Sequence, residues 1–125
     1  MSWKEAARRS RRDVPPPLLS EFRGMWLFAM FDLPVKEKDQ RRAYTRFRVK
    51  LLQLGFTQIQ FSVYAQYCVS EEASTVKRKA VRAALPYEGQ VRVVSITDKQ
   101  FGSMEIYYGK EAADPEDPPG QLLLF

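Results

Sequence analysis

The rhythm of apolar and polar positions changes repeatedly along the chain. Residues 25–34, MWLFAMFDLP, are apolar almost without a break until Asp32 and then Pro34. A continuous apolar run ended by a residue that donates no ladder hydrogen bond predicts a central strand buried on both faces. Residues 38–54, KDQRRAYTRFRVKLLQL, switch to a helical period and stop at Gly55, with Ala43, Tyr44, Phe47, Leu51 and Leu54 on one apolar stripe. The following GFTQIQFSVYAQYCV alternates, placing Ile59, Phe61, Val63, Ala65 and Tyr67 on one side and Gln58, Gln60, Ser62 and Gln66 on the other. That is half-buried β structure, long enough for two short strands with a tight or bulged join, although no Gly or Asn marks it. Ser70 is placed to cap a second helix running to about Leu85, with Ala73, Val76, Ala80 and Ala83 toward the core. After a turn from Pro86 to Gly89, QVRVVSIT and MEIYYG read as two more strands. This order predicts an α+β fold, a ferredoxin-like β-α-β-β-α-β sandwich with an extra C-terminal strand and its helices on one face of an antiparallel sheet.

The flanks have a different character. Residues 1–24, MSWKEAARRSRRDVPPPLLSEFRG, are basic, hold three consecutive prolines and show no sustained period, which predicts a flexible arm. Residues 110–125, KEAADPEDPPGQLLLF, are acidic and proline-rich until they end in Leu122, Leu123, Leu124 and Phe125. An apolar ending of this kind either packs back on its own chain or docks on a partner, for instance by adding a strand to an open sheet edge. The single domain is expected to occupy residues 25–109.

Composition narrows the chemistry. The chain has 125 residues and no histidine, which removes Ser-His and Cys-His nucleophiles, imidazole acid-base catalysis and most zinc sites. Its one cysteine, Cys68, forms no internal disulfide, in keeping with a reducing cytoplasm, and no apolar run approaches the roughly 20 residues of a membrane helix. The net charge is +5, and it sits in the domain: residues 25–109 carry 13 Lys/Arg against 8 acids, while the two flanks cancel. On the first helix Lys38, Arg42, Arg46 and Lys50 recur every fourth residue and stack along one edge at steps of about 6 Å. Such a stripe either meets an anionic partner or is a solvated face. Asp32, at the exposed end of a central strand, is either an Asx-type turn residue before Pro34 or a ligand for a hard cation such as magnesium, which takes few protein carboxylates. One acid per chain is meagre for two-metal nuclease chemistry, and if two copies met at this strand end their paired Asp32 residues could share an ion.

FDLP, AYTRFR, LLQLGF, the Q-F-S-V-Y run, the LP-x-x-GQVRV turn and strand, and ITDKQFGSMEIYYG occur here in that order. Together they resemble the smaller of the two core CRISPR adaptation proteins, the CRISPR-associated endoribonuclease family, over residues 25–109 and the QLLLF ending. The tail and the TDKQF block are most similar to members that accompany single-effector CRISPR systems, whereas the long N-terminal arm departs from the usual pattern. The resemblance implies a cytoplasmic prokaryotic protein and a homodimer of ferredoxin-like chains whose sheets meet. It also implies assembly with the larger adaptation integrase on a short double-stranded DNA, prespacer and repeat, with strand transfer done by the integrase. The family's metal-binding and catalytic acid falls on Asp32, implying a magnesium ion shared across the dimer, and the tyrosine usual before it is Phe31. For a DNA-holding role the candidates are Arg41, Arg42, Arg46, Lys50 and Arg78, with Leu122 to Phe125 as the docking segment. Magnesium-dependent endonuclease activity through Asp32 is the alternative.

Overall fold

A computed structural model describes residues 24–116. The expected basic arm and the apolar docking segment lie outside the described residues. Strand β1 (Met25–Asp32) leads into helix α1 (Lys38–Gln53), then β2 (Thr57–Gln60), β3 (Val63–Cys68), helix α2 (Glu71–Ala83), β4 (Gln90–Thr97), the short helix α3 (Asp98–Gly102), β5 (Ile106–Tyr108) and β6 (Glu111–Ala113). The first four strands form one antiparallel sheet in the order β2-β3-β1-β4, so β1 is interior, as its unbroken apolar run predicts. The extra strand at the C-terminal side stands apart. Among the described residues β5 pairs only with β6, a strand that lies within the acidic stretch, and the two make a separate small sheet.

β1 is buried on both sides because each side has its own cluster. Leu27, Ala29 and Phe31 pack with Phe47 and Leu51 of α1, Val81 of α2 and Tyr64 of β3. Trp26 and Phe28 face the other way, onto Ala65 and Phe101, with Trp26 stacked on the Phe101 ring at 3.8 Å between centroids. The TDKQF block supplies that Phe101: it folds as α3, whose cap Thr97 accepts from Gln100 N–H at 3.0 Å while Gln100 Oε1 accepts the Thr97 N–H at 2.9 Å. Trp26 Nε1 donates to Asp98 at 3.1 Å, so α3 is fastened to β1 by a hydrogen bond as well as by the stacked rings.

The structure corrects the sequence reading in two places. The alternation through residues 58–67 breaks at the join: Phe61 and Ser62 form a two-residue turn, with Ser62 at φ 63° and a register shift between Gln58 and Gln60. Ser62 therefore takes the left-handed conformation for which Asn or Gly is the usual choice. Phe61 leaves the face of Ile59, Val63, Ala65 and Tyr67 and stands 80% exposed against Tyr44, while Tyr64 and Cys68 on the helix side are buried. In α2 two of the four expected core positions hold: Ala73 packs against the core and Ala80 is half-buried, whereas Val76 and Ala83 are exposed and Ser74 and Val81 are buried instead. The bulkier Val81 takes the deep position that a row of alanines would have left underfilled, which turns the face by part of a residue step. Ser70 caps the helix as expected, accepting from Ala73 N–H at 3.1 Å.

Candidate nucleic-acid interface

α1 places its charges by simple periodicity. Phe47 and Leu51 go to the core, which turns Lys38, Arg42, Arg46 and Lys50 outward, and all four are exposed. The N-terminal half of this edge is concave. Lys38, Arg41, Arg42, Thr45 and Arg46 line an open hollow of about 520 Å³, and four of these five side chains are cationic. Lys50 lies one turn beyond the hollow's lining. Arg41 is also anchored: its guanidinium donates to the carbonyls of Lys36 at 2.7 Å and Val35 at 3.3 Å, tying the β1–α1 loop to the helix. Arg78 is not brought into this group. From α2 its guanidinium reaches Ser95 of β4 and Ser74 one turn away, within its own chain. Lys77 beside it donates to the Leu54 carbonyl at 2.7 Å and so satisfies an end carbonyl of α1.

Asp32 ends β1 opposite Gln90, with its side chain exposed. Its surroundings are set by backbone geometry. Gly89 adopts φ +91°, and a Cβ there would stand 2.7 Å from the Asp32 carbonyl oxygen and 2.7 Å from Leu33. The β1–α1 loop that follows is held to α1 by Gln40 as well as by Arg41. Gln40 Oε1 accepts the N–H groups of Lys36 at 3.1 Å and Glu37 at 2.9 Å, and its Nε2 donates to Glu88 at 3.1 Å. Among the described residues no group of three or more His, Cys, Asp or Glu converges to hold a metal. Asp32 offers one carboxylate, at the lower end of the one or two that magnesium takes from a protein. Cys68 is buried, and that burial pushes its thiol above the ordinary range against the opposing pull of Lys77 and Arg78. It has no reactive thiolate character to offer.

The sequence reading missed what stands beside the stripe. Pro86 to Gly89 was legible only as a turn, yet Tyr87 projects fully into solvent there. Phe61 and Tyr44 stack at 6.2 Å, and the Tyr44 hydroxyl lies 3.3 Å from that of Ser62. An aromatic in a two-residue turn without Gly or Asn was the available signal for Phe61. Nothing in the local pattern marked Tyr87.

A ferredoxin-like sheet with an acid at the end of its first strand and a cationic helix beside it places the chain in a class of small α+β domains. More particularly, the chain belongs to the family described as CRISPR associated protein Cas2, whose model matches residues 25–104. It is similar to a protein named CRISPR-associated endoribonuclease Cas2 in Flavobacterium psychrophilum, 43% identical over 107 residues that cover 86% of this chain and 93% of the relative. The protein of the same name in Parvibaculum lavamentivorans is 46% identical over 101 residues, covering 81% of this chain and 100% of that one. A third, from Paracidovorax avenae, is 39% identical over 108 residues, 86% and 100% of the two chains. The family ties the chain to CRISPR systems. No helix among the described residues is long and apolar enough to cross a membrane.

Proposed function

We propose that the chain is a homodimeric CRISPR adaptation protein that holds a short double-stranded DNA and bridges subunits of the larger adaptation integrase on it. The observation that carries this reading is the cationic hollow of α1. Four positive side chains converge there on an open surface, a form that suits the phosphates of a duplex and reads no sequence. Lys50 extends the same edge by a turn. The test is duplex affinity and spacer integration in vitro with the cognate integrase, comparing wild type with the double variant Arg42→Glu/Arg46→Glu. Affinity should fall by about tenfold or more, with integration lost in parallel. Equal affinity and integration for the two proteins would overturn the reading.

A second reading, magnesium-dependent hydrolysis of RNA or DNA phosphodiesters through Asp32, is favoured by the exposure of that carboxylate at the strand end and by the relatives' name, endoribonuclease. In it the Asp32 carboxylates of two copies share one ion, within the one or two carboxylates that magnesium takes from protein. Purified Asp32→Ala should then lose magnesium-dependent cleavage while keeping duplex affinity. Unchanged cleavage by the variant sinks this reading and leaves the scaffold untouched.

A further inference from the structure

Next to the cationic hollow lies a second, smaller one. A cavity of about 160 Å³ opens between α1 and the loop before β4, its walls including Leu33, Pro34, Tyr44, Tyr87, Glu88 and Arg46. Arg46 lines both hollows, which makes them neighbours across one side chain. The smaller one is below the roughly 300–1,000 Å³ of sites for drug-sized ligands, so it suits a single planar ring rather than a whole nucleotide. Tyr44, Tyr87, Pro34 and Pro86 all contribute to its lining, with the Tyr87 ring free in solvent at the rim. Tyr44 is held in place by Phe61 and Phe31, while Tyr87 is fully solvated.

An aromatic face beside cations is the arrangement by which proteins hold unpaired bases: the ring stacks and the neighbouring cations take the backbone phosphates. The polar groups in the lining give a chemical preference. Asp39 and Glu88 contribute carboxylates, which accept hydrogen bonds from exocyclic amines as they do from cytosine N4 in duplex readout. Glu88 is positioned for this by Gln40, itself fixed by two backbone N–H groups at the start of α1.

We propose that this cavity takes one unpaired, amine-bearing nucleobase of a strand whose phosphates run along α1. The inference rests on α1 being a phosphate-binding face. It adds a site that reads the strand's pairing state, which the cationic stripe alone does not.

The test uses fluorescence anisotropy with three otherwise identical labelled duplexes: fully paired, with a single bulged cytosine, and with a single bulged thymine, each made as DNA and as RNA. Wild type should bind the cytosine bulge about fivefold or more tighter than the paired duplex, with the thymine bulge gaining less. Tyr87→Ala should abolish that gain and leave paired-duplex affinity unchanged. Tyr87→Phe should retain it. Because Tyr87 is wholly exposed, neither variant disturbs packing. A gain in either the DNA or the RNA series supports the site. Equal wild-type affinity for paired and bulged duplexes, or an equal loss on both in Tyr87→Ala, overturns the site while leaving α1 as a phosphate face. No binding of any duplex by wild type overturns both.

Discussion

Gly89 shows how one residue sets the position of another. Its φ of +91° lies outside the range that side chains favour, and its α-carbon passes so near the Asp32 carbonyl that a methyl group would meet main-chain atoms. Gly89→Ala should therefore destabilise the fold by about 1–3 kcal/mol, seen as a lowered midpoint in thermal or urea unfolding. A midpoint equal to wild type would mean that the loop relaxes freely and that Asp32 is not fixed from this side. Asp32 itself was legible from the sequence as a strand-end acid, because a lone carboxylate closing an apolar run is conspicuous. Gly89 was legible only as part of a turn, since its close approach to Asp32 joins residues far apart in sequence. Gln40 was hidden for the same reason: its partner Glu88 is 48 positions away.

Among the elements, α1 was the most legible, since a 3.6-residue period fixes both its buried and its charged edge. The sequence could not show that Arg41, while lining the hollow with Arg42 and Arg46, is itself engaged by the loop, because that depends on where the Val35 and Lys36 carbonyls point. This arrangement makes a prediction that belongs to the helix as a unit. If Arg42 and Arg46 each neutralise one phosphate, their joint replacement should lower the slope of log affinity against log salt by about 2. An unchanged slope would assign the phosphate contacts elsewhere. α2 was read rightly at Ala73 and Ala80 but wrongly at Val76 and Ala83, because its apolar positions are mostly alanine, too small to declare a face until Val81 is seen packing in the core. β3 was read as half-buried because α1 and α2 cover its second side only in three dimensions.

For the whole molecule, the order of strands and helices followed from the chain's changes of period, and β1, one of the sheet's two interior strands, from its unbroken apolar run. The second core was not foreseen, although Phe101 lay in a block already noted for its resemblance. A five-residue helix gives too short a period to reveal which face it buries. The result is a sheet clad on one side by two long helices and on the other by a single turn-and-a-half of helix pinned through Trp26.

β5 and β6 share none of this cladding: they hydrogen-bond to each other and to no strand of the main sheet. A lone pair of strands is marginally stable in water, so its amides should exchange with deuterium long before those of β1, whose opening requires the whole sheet to come apart. Hydrogen exchange read by mass spectrometry on the free chain should show two separated timescales, and a single shared rate would count against this separation. The fold thus carries, at its C-terminal side, a structural unit with its own melting behaviour, whose order can change while the clock of the core runs undisturbed.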